Sequence, residues 1–167
     1  MGMIGNLYRV SEKDLEEILK DSSILESKVY ADEGENLEDL LDLDKSWEAI
    51  FYLLTGCSIA EIEDAQAPLS WSLFSGQIVD EEQDMGYGPA HYLRVDQVKQ
   101  LDAELDKISI DELKGKYNGQ EMNEAGIYPE VWDREESLDY VTDYFEQLKE
   151  FYKIASEENK AVITFLN

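Results

Sequence analysis

The chain has 167 residues, 43% hydrophobic and 32% charged, with 14 Lys and Arg against 39 Asp and Glu for a formal net charge of −25. That balance argues against recognition of a phosphate backbone, which needs cationic side chains, and against attraction to anionic membrane surfaces. The apolar fraction suffices for a packed core, and the length suits one domain over residues 1–167, since domains most often run to about 100–150 residues.

In chain order, Met3 to Val10 (MIGNLYRV) predicts a strand of ambiguous facing. Ser11 and Asp14 then open a helix with Leu15, Ile18 and Leu19 inward. Asp21 to Leu40 is expected to be a loop with one or two short helical turns. Its Glu33, Glu35, Glu38 and Asp39 form a solvated acidic face, because DEGENLEDLLDLD lacks the ligand order and terminal Glu of a calcium loop. Leu41 to Gly56 (LDLDKSWEAIFYLLTG) predicts one helix, apolar on nearly every side, around which the chain is organised. Trp47, Ile50, Phe51 and Leu54 share a face, Asp42 and Asp44 lie at the start, and Gly56 is placed for a left-handed cap.

Cys57 to Gln66 is a polar connection, and Pro68 opens a short apolar helix (Leu69, Trp71, Leu73, Phe74) that ends at Gly76. Ile78 and Val79 form a brief strand before the acidic run Asp80, Glu81, Glu82 and Asp84. Gly86 to Pro89 (GYGP) is a turn signature. It has neither the Gly-Lys-Ser/Thr ending of a phosphate loop nor the three-glycine dinucleotide spacing, so no cofactor is expected. Ala90 to Val95 alternates as a strand, with His91, Leu93 and Val95 on one face. Asp96 is expected to cap a helix bearing Val98, Leu101, Leu105 and Ile108, and Ser109 with Glu112 caps another, closed by Gly115, Asn118 and Gly119. Met122 to Asp133 reads as irregular, with IYPEVW held extended by Pro129. The longest helix is predicted from about Glu135 to Ala155 on a stripe of Leu138, Val141, Phe145, Leu148, Tyr152 and Ala155. Asn159 turns the chain into a final strand, Ala161 to Leu166. Strands near both termini invite pairing, which gives an α+β class: several helices on a small mixed or antiparallel sheet.

Chemistry-bearing residues are sparse. Cys57 is the only cysteine and His91 the only histidine, so no grouping has zinc-ligand spacing and no metal is expected. No apolar run is long enough to span a membrane, and the N-terminus lacks a signal-peptide pattern; the cytoplasm is the expected compartment. The candidate ligand-binding residues are Trp47, Tyr87, His91, Tyr128 and Trp132: aromatics lining a cleft bind planar or cationic groups, and histidine exchanges protons near neutral pH. Trp71 belongs to the same aromatic set, although helical spacing favours a core role for such residues. Adjacent carboxylates such as Asp42/Asp44 and Glu81/Glu82 arise by chance in so acidic a chain and assign no catalytic residue.

The opening MGMIG, the helix LDLDKSWEAIFYLLTG, the middle GYGPAHYL and the later IYP occur in that order. Together they resemble the YfbM-like family of bacterial proteins, grouped as DUF1877. The resemblance implies a single α+β domain in a bacterial cytoplasm and no established activity. Two functions follow as expectations. The leading one is a non-enzymatic acidic binding or regulatory protein for a basic protein partner, in the manner of an immunity protein. The alternative is a small-molecule-binding domain or enzyme with a pocket near Tyr87, His91, Tyr128 and Trp132.

Overall fold

A four-stranded antiparallel sheet in the order β2-β1-β4-β3 organises the molecule. The computed structural model describes residues 2–30 and 38–167, so the predicted acidic-face residues Glu33 and Glu35 lie outside the described residues. The central pair is β1 (Gly5–Val10) and β4 (Ala161–Leu166), in register from Gly5 opposite Leu166 to Val10 opposite Ala161. Thus the strands near the two ends do pair. β2 (Leu40–Asp42) flanks β1, and β3 (His91–Leu93) flanks β4.

Both faces of this sheet are covered, which explains why AVITFL is apolar without alternation. Leu7, Val162 and Leu166 pack with the larger helical layer, whereas Tyr8, Val10, Ile163 and Phe165 pack with Leu15, Ile18, Leu25 and Val29 on the other side. The latter come from α1 (Glu12–Lys20) and α2 (Ser23–Val29). Ser11 caps α1 as expected, its Oγ accepting from the Asp14 N–H at 3.0 Å.

The larger layer holds α3 (Trp47–Thr55), α4 (Val95–Asp106), α5 (Ile110–Lys116), α6 (Gly119–Glu124) and α7 (Ser137–Glu157). The predicted long helix is α7, and its stripe is buried except for half-buried Leu138. Seven α-helices on one antiparallel sheet, among the described residues, make a single-domain α+β fold.

Several expectations need correction. Ile78 and Val79 do not form a strand; Ile78 makes only an isolated bridge to His91. Leu41 to Gly56 is not one helix. Leu40–Asp42 is recruited as a strand by β1, Asp44 has a positive φ of 49°, and a 3-10 turn (Asp44–Ser46) leads into α3. Pairing outweighs helix propensity there, and Asp42 accepts from the Asp44 N–H at 2.6 Å instead of capping α3. Asp96 does not cap α4: the helix already begins at Val95, and Gln97 Oε1 accepts the Arg94 N–H at 3.0 Å. Gly119 opens α6 under an Asn118 cap, where a Cβ would collide with the Trp132 carbonyl. Finally, IYPEVW is folded into turns, with Glu130 at φ 63° and its N–H bonded to the Ile127 carbonyl at 2.8 Å.

Candidate functional site

The five candidate residues separate into an aromatic line and two outliers. Trp47 begins α3, and its indole stacks on Tyr128 at 5.8 Å between centroids. Phe74 bridges the line, edge-on to Trp47 at 5.9 Å and to His91 at 5.7 Å. No ring contact joins Tyr87 or Trp132 to these three. Trp132 is fully buried and tilted against Tyr140 at 6.4 Å, whereas Tyr87 is 54% exposed. Half-buried Trp71 packs against the core.

Trp47 Nε1, the Tyr128 hydroxyl and His91 Nδ1 each have a hydrogen-bond partner inside the fold. Trp47 Nε1 donates to the Met3 carbonyl at 3.0 Å, and the Met3 N–H donates to the Tyr128 hydroxyl at 3.0 Å. The two side chains thereby complete the main-chain bonding of the segment leading into β1. Gly5 lets that strand run close beneath the indole, since a Cβ there would stand 2.6 Å from Trp47 Cβ. Trp132 Nε1 donates to the Ile127 carbonyl at 2.9 Å. His91 Nδ1 accepts the Gly76 N–H at 3.1 Å, which places the proton of the neutral ring on Nε2. Burial pushes the His91 pKa below its ordinary value, so the ring is neutral at pH 7.

Sequence reasoning passed over Glu48, next to Trp47. Its carboxylate is 3% exposed and accepts two main-chain N–H groups, Ile59 at 3.0 Å and Tyr128 at 2.8 Å. It therefore fastens α3 to two connecting segments. The signal was available: a Glu inside a helix apolar on nearly every side has to find donors.

Three concavities are lined by other residues. One of about 280 Å³ lies between α4, α5 and α7, with Asp102, Asp106, Glu146 and Glu150 beside Lys149 and Lys153. A second, about 370 Å³, adjoins the end of α3 at Tyr52, Gly56 and Lys116. A third, about 250 Å³, separates Leu41 from Phe151 and Ile154. Among the described residues, no group of three or more His, Cys, Asp or Glu is placed to hold a metal ion. No helix among them is long and apolar enough to cross a membrane.

The acidic run before GYGP is held in a defined shape. Asp80 Oδ1 accepts the Glu82 N–H at 3.0 Å, and Asp80 Oδ2 accepts the Ser22 hydroxyl at 2.6 Å. Asp84 Oδ1 accepts from the N–H groups of Gly86 and Gly88 at 2.9 and 3.0 Å. These donors lower both carboxyl pKa values, the Ser22 hydroxyl foremost for Asp80 and the Gly86 N–H for Asp84. Gly86, at φ 132°, passes so close to Asn167 that a Cβ would stand 2.8 Å from Asn167 Cα. Tyr87 follows at the tip, and its N–H donates to the Leu166 carbonyl at 3.2 Å.

The fold is shared with a solved structure described as a protein of unknown function, YfbM, from Escherichia coli. The two are 19% identical, with a TM-score of 0.74 over 98% of this chain and 99% of that one. No curated protein matches the sequence. The family model of DUF1877, a domain of unknown function, matches residues 1–165, and the chain accordingly belongs to that family.

Proposed function

We propose that the protein is a non-enzymatic binding protein that presents acidic surface to a basic protein partner. The supporting observation is a formal net charge of −25 for the chain, with Asp80 and Asp84 held ionised in fixed positions. Such a field raises association rates toward a cation by roughly 10–10³-fold. The alternative pocket reading has less behind it. Trp132 is in the core, Tyr87 stands apart, and Trp47 Nε1 and the Tyr128 hydroxyl are both bonded to the Met3 main chain.

The test is affinity capture with the full chain, followed by association kinetics of the captured protein across a salt series. Association should slow as the screening length falls from about 10 Å at 0.1 M salt to about 3 Å at 1 M. Reversing Asp80, Glu81, Glu82 and Asp84 to Lys should slow it further while changing dissociation less. An association rate flat in salt and indifferent to the reversal would reduce the acidity to a solubility device.

A further inference from the structure

Tyr87 at 54% and Tyr30 at 50% are the most exposed large hydrophobic side chains among the described residues. They come from distant parts of the sequence, and each is tied to the end of β4, Tyr30 through its ring and Tyr87 through its main chain. The Tyr30 ring stands edge-on to Phe165 at 6.4 Å, and its hydroxyl donates to the Met85 carbonyl at 2.9 Å. Tyr87 lies two residues beyond Met85 and is tied to Leu166. The acidic run extends along α2: Asp80 is bonded to Ser22 and Gln83 Nε2 donates to the Ser22 carbonyl at 2.9 Å at the start of that helix, and Met85, next to Asp84, is bonded to Tyr30 at its end.

We propose that Tyr30, Tyr87 and the carboxylates of Asp80 to Asp84 form the docking surface for an arginine-bearing segment of a basic protein; this rests on the binding function proposed above. Charge complementarity selects the occupant. The sequence has no Lys or Arg between Lys45 and Arg94, so nothing within the loop neutralises its acids. Lys28, the basic residue nearest Tyr30 in the described sequence, is turned to Asp14 at 3.8 Å. A second copy of this chain would bring the same charge and be repelled. Arginine fits better than lysine because a guanidinium stacks on a tyrosine ring while its fork bonds a carboxylate. The turn is already ordered by hydrogen bonds, so docking there forfeits little conformational entropy.

The test uses the ¹⁵N-labelled full chain, titrated at low salt with hexa-arginine and, separately, hexa-lysine. Amide shifts from hexa-arginine should concentrate in residues 80–88 and Tyr30. Hexa-arginine should bind about two- to fivefold tighter than hexa-lysine, the increment expected of one exposed cation–π contact. Tyr87→Ala, which removes no side-chain hydrogen bond of the fold, should abolish that preference and leave charge-driven binding. Asp84→Asn keeps an oxygen for the two glycine N–H groups and should weaken both peptides. Shifts centred on Asp102, Asp106, Glu146 and Glu150 would overturn this surface while leaving the binding function standing. Shifts at residues 80–88 that depend on protein concentration without peptide would overturn it in favour of self-association. Binding of neither peptide would overturn the surface, and the salt series on a captured partner would then judge the function independently.

Discussion

Glu48 is a charged side chain where the helix around it demands apolar ones, and among the described residues no Lys or Arg pairs with it. Its stability rests on two main-chain donors, each a charge-assisted bond. Glu48→Ala strands the N–H groups of Ile59 and Tyr128 and should cost about 3 kcal/mol. Glu48→Gln retains one acceptor and should cost less. Urea unfolding checks both, and an Ala variant with the parent's midpoint would remove Glu48 from the framework. Gly56 offers a separate test of backbone strain. Its φ is +76° and a Cβ would meet nothing within 4 Å, so Gly56→Ala isolates the conformational cost, typically ~1 kcal/mol. A variant with unchanged stability would show that the end of α3 relaxes away from the left-handed cap.

Among the elements, β3 carries the pH-sensitive group. Burial lowers the His91 pKa in the folded state, and Nδ1 accepts a hydrogen bond that protonation there would destroy. The unfolded chain therefore binds the proton more readily. The stability supplied by neutral His91 is complete above about pH 6.5 and drains away as pH falls from there toward the folded pKa. Proton NMR of the imidazole should place its midpoint below 6.5, and a midpoint above it would contradict the burial argument. The same scale shows what could be read in advance. α7 and β4 were legible because a long stripe and a compact apolar run each admit one packing. The caps at Ser11, Gly56 and Ser109 were legible because capping is local chemistry. Leu40–Asp42 was not, since only the approach of β1 makes a strand of residues with good helix propensity. The burial of Trp47 and Trp132 was not legible for a similar reason: the two look alike as tryptophans in the sequence, and distant segments cover both. Tyr30 drew no attention because its exposure is a property of the end of β4.

At the scale of the molecule, a chain with 39 acids against 14 Lys and Arg repels itself, and only four ion pairs are found among the described residues. Raising salt from about 0.01 M to about 0.15 M shortens the screening length from about 30 Å to about 8 Å. Thermal stability should rise accordingly, by about 2–4 °C for each kcal/mol of repulsion relieved. A Tm that fell with salt would mean that attraction across those pairs outweighs the repulsion. The strand order has a kinetic consequence. β1 and β4 form the middle of the sheet, yet closing their ladder spans a loop of about 150 residues, an entropic cost met before any strand contact repays it. Helices α1, α4 and α7 need only local contacts to begin. On refolding, the helical circular dichroism should return first, and hydrogen-exchange protection of the β1 and β4 amides should follow. Early protection of those amides would instead make the central pair the nucleus. In the expected order, each molecule passes through a stage in which helices exist and the apolar faces of β1 and β4 still stand open to water. The shared negative charge is then what keeps two such molecules from meeting strand to strand.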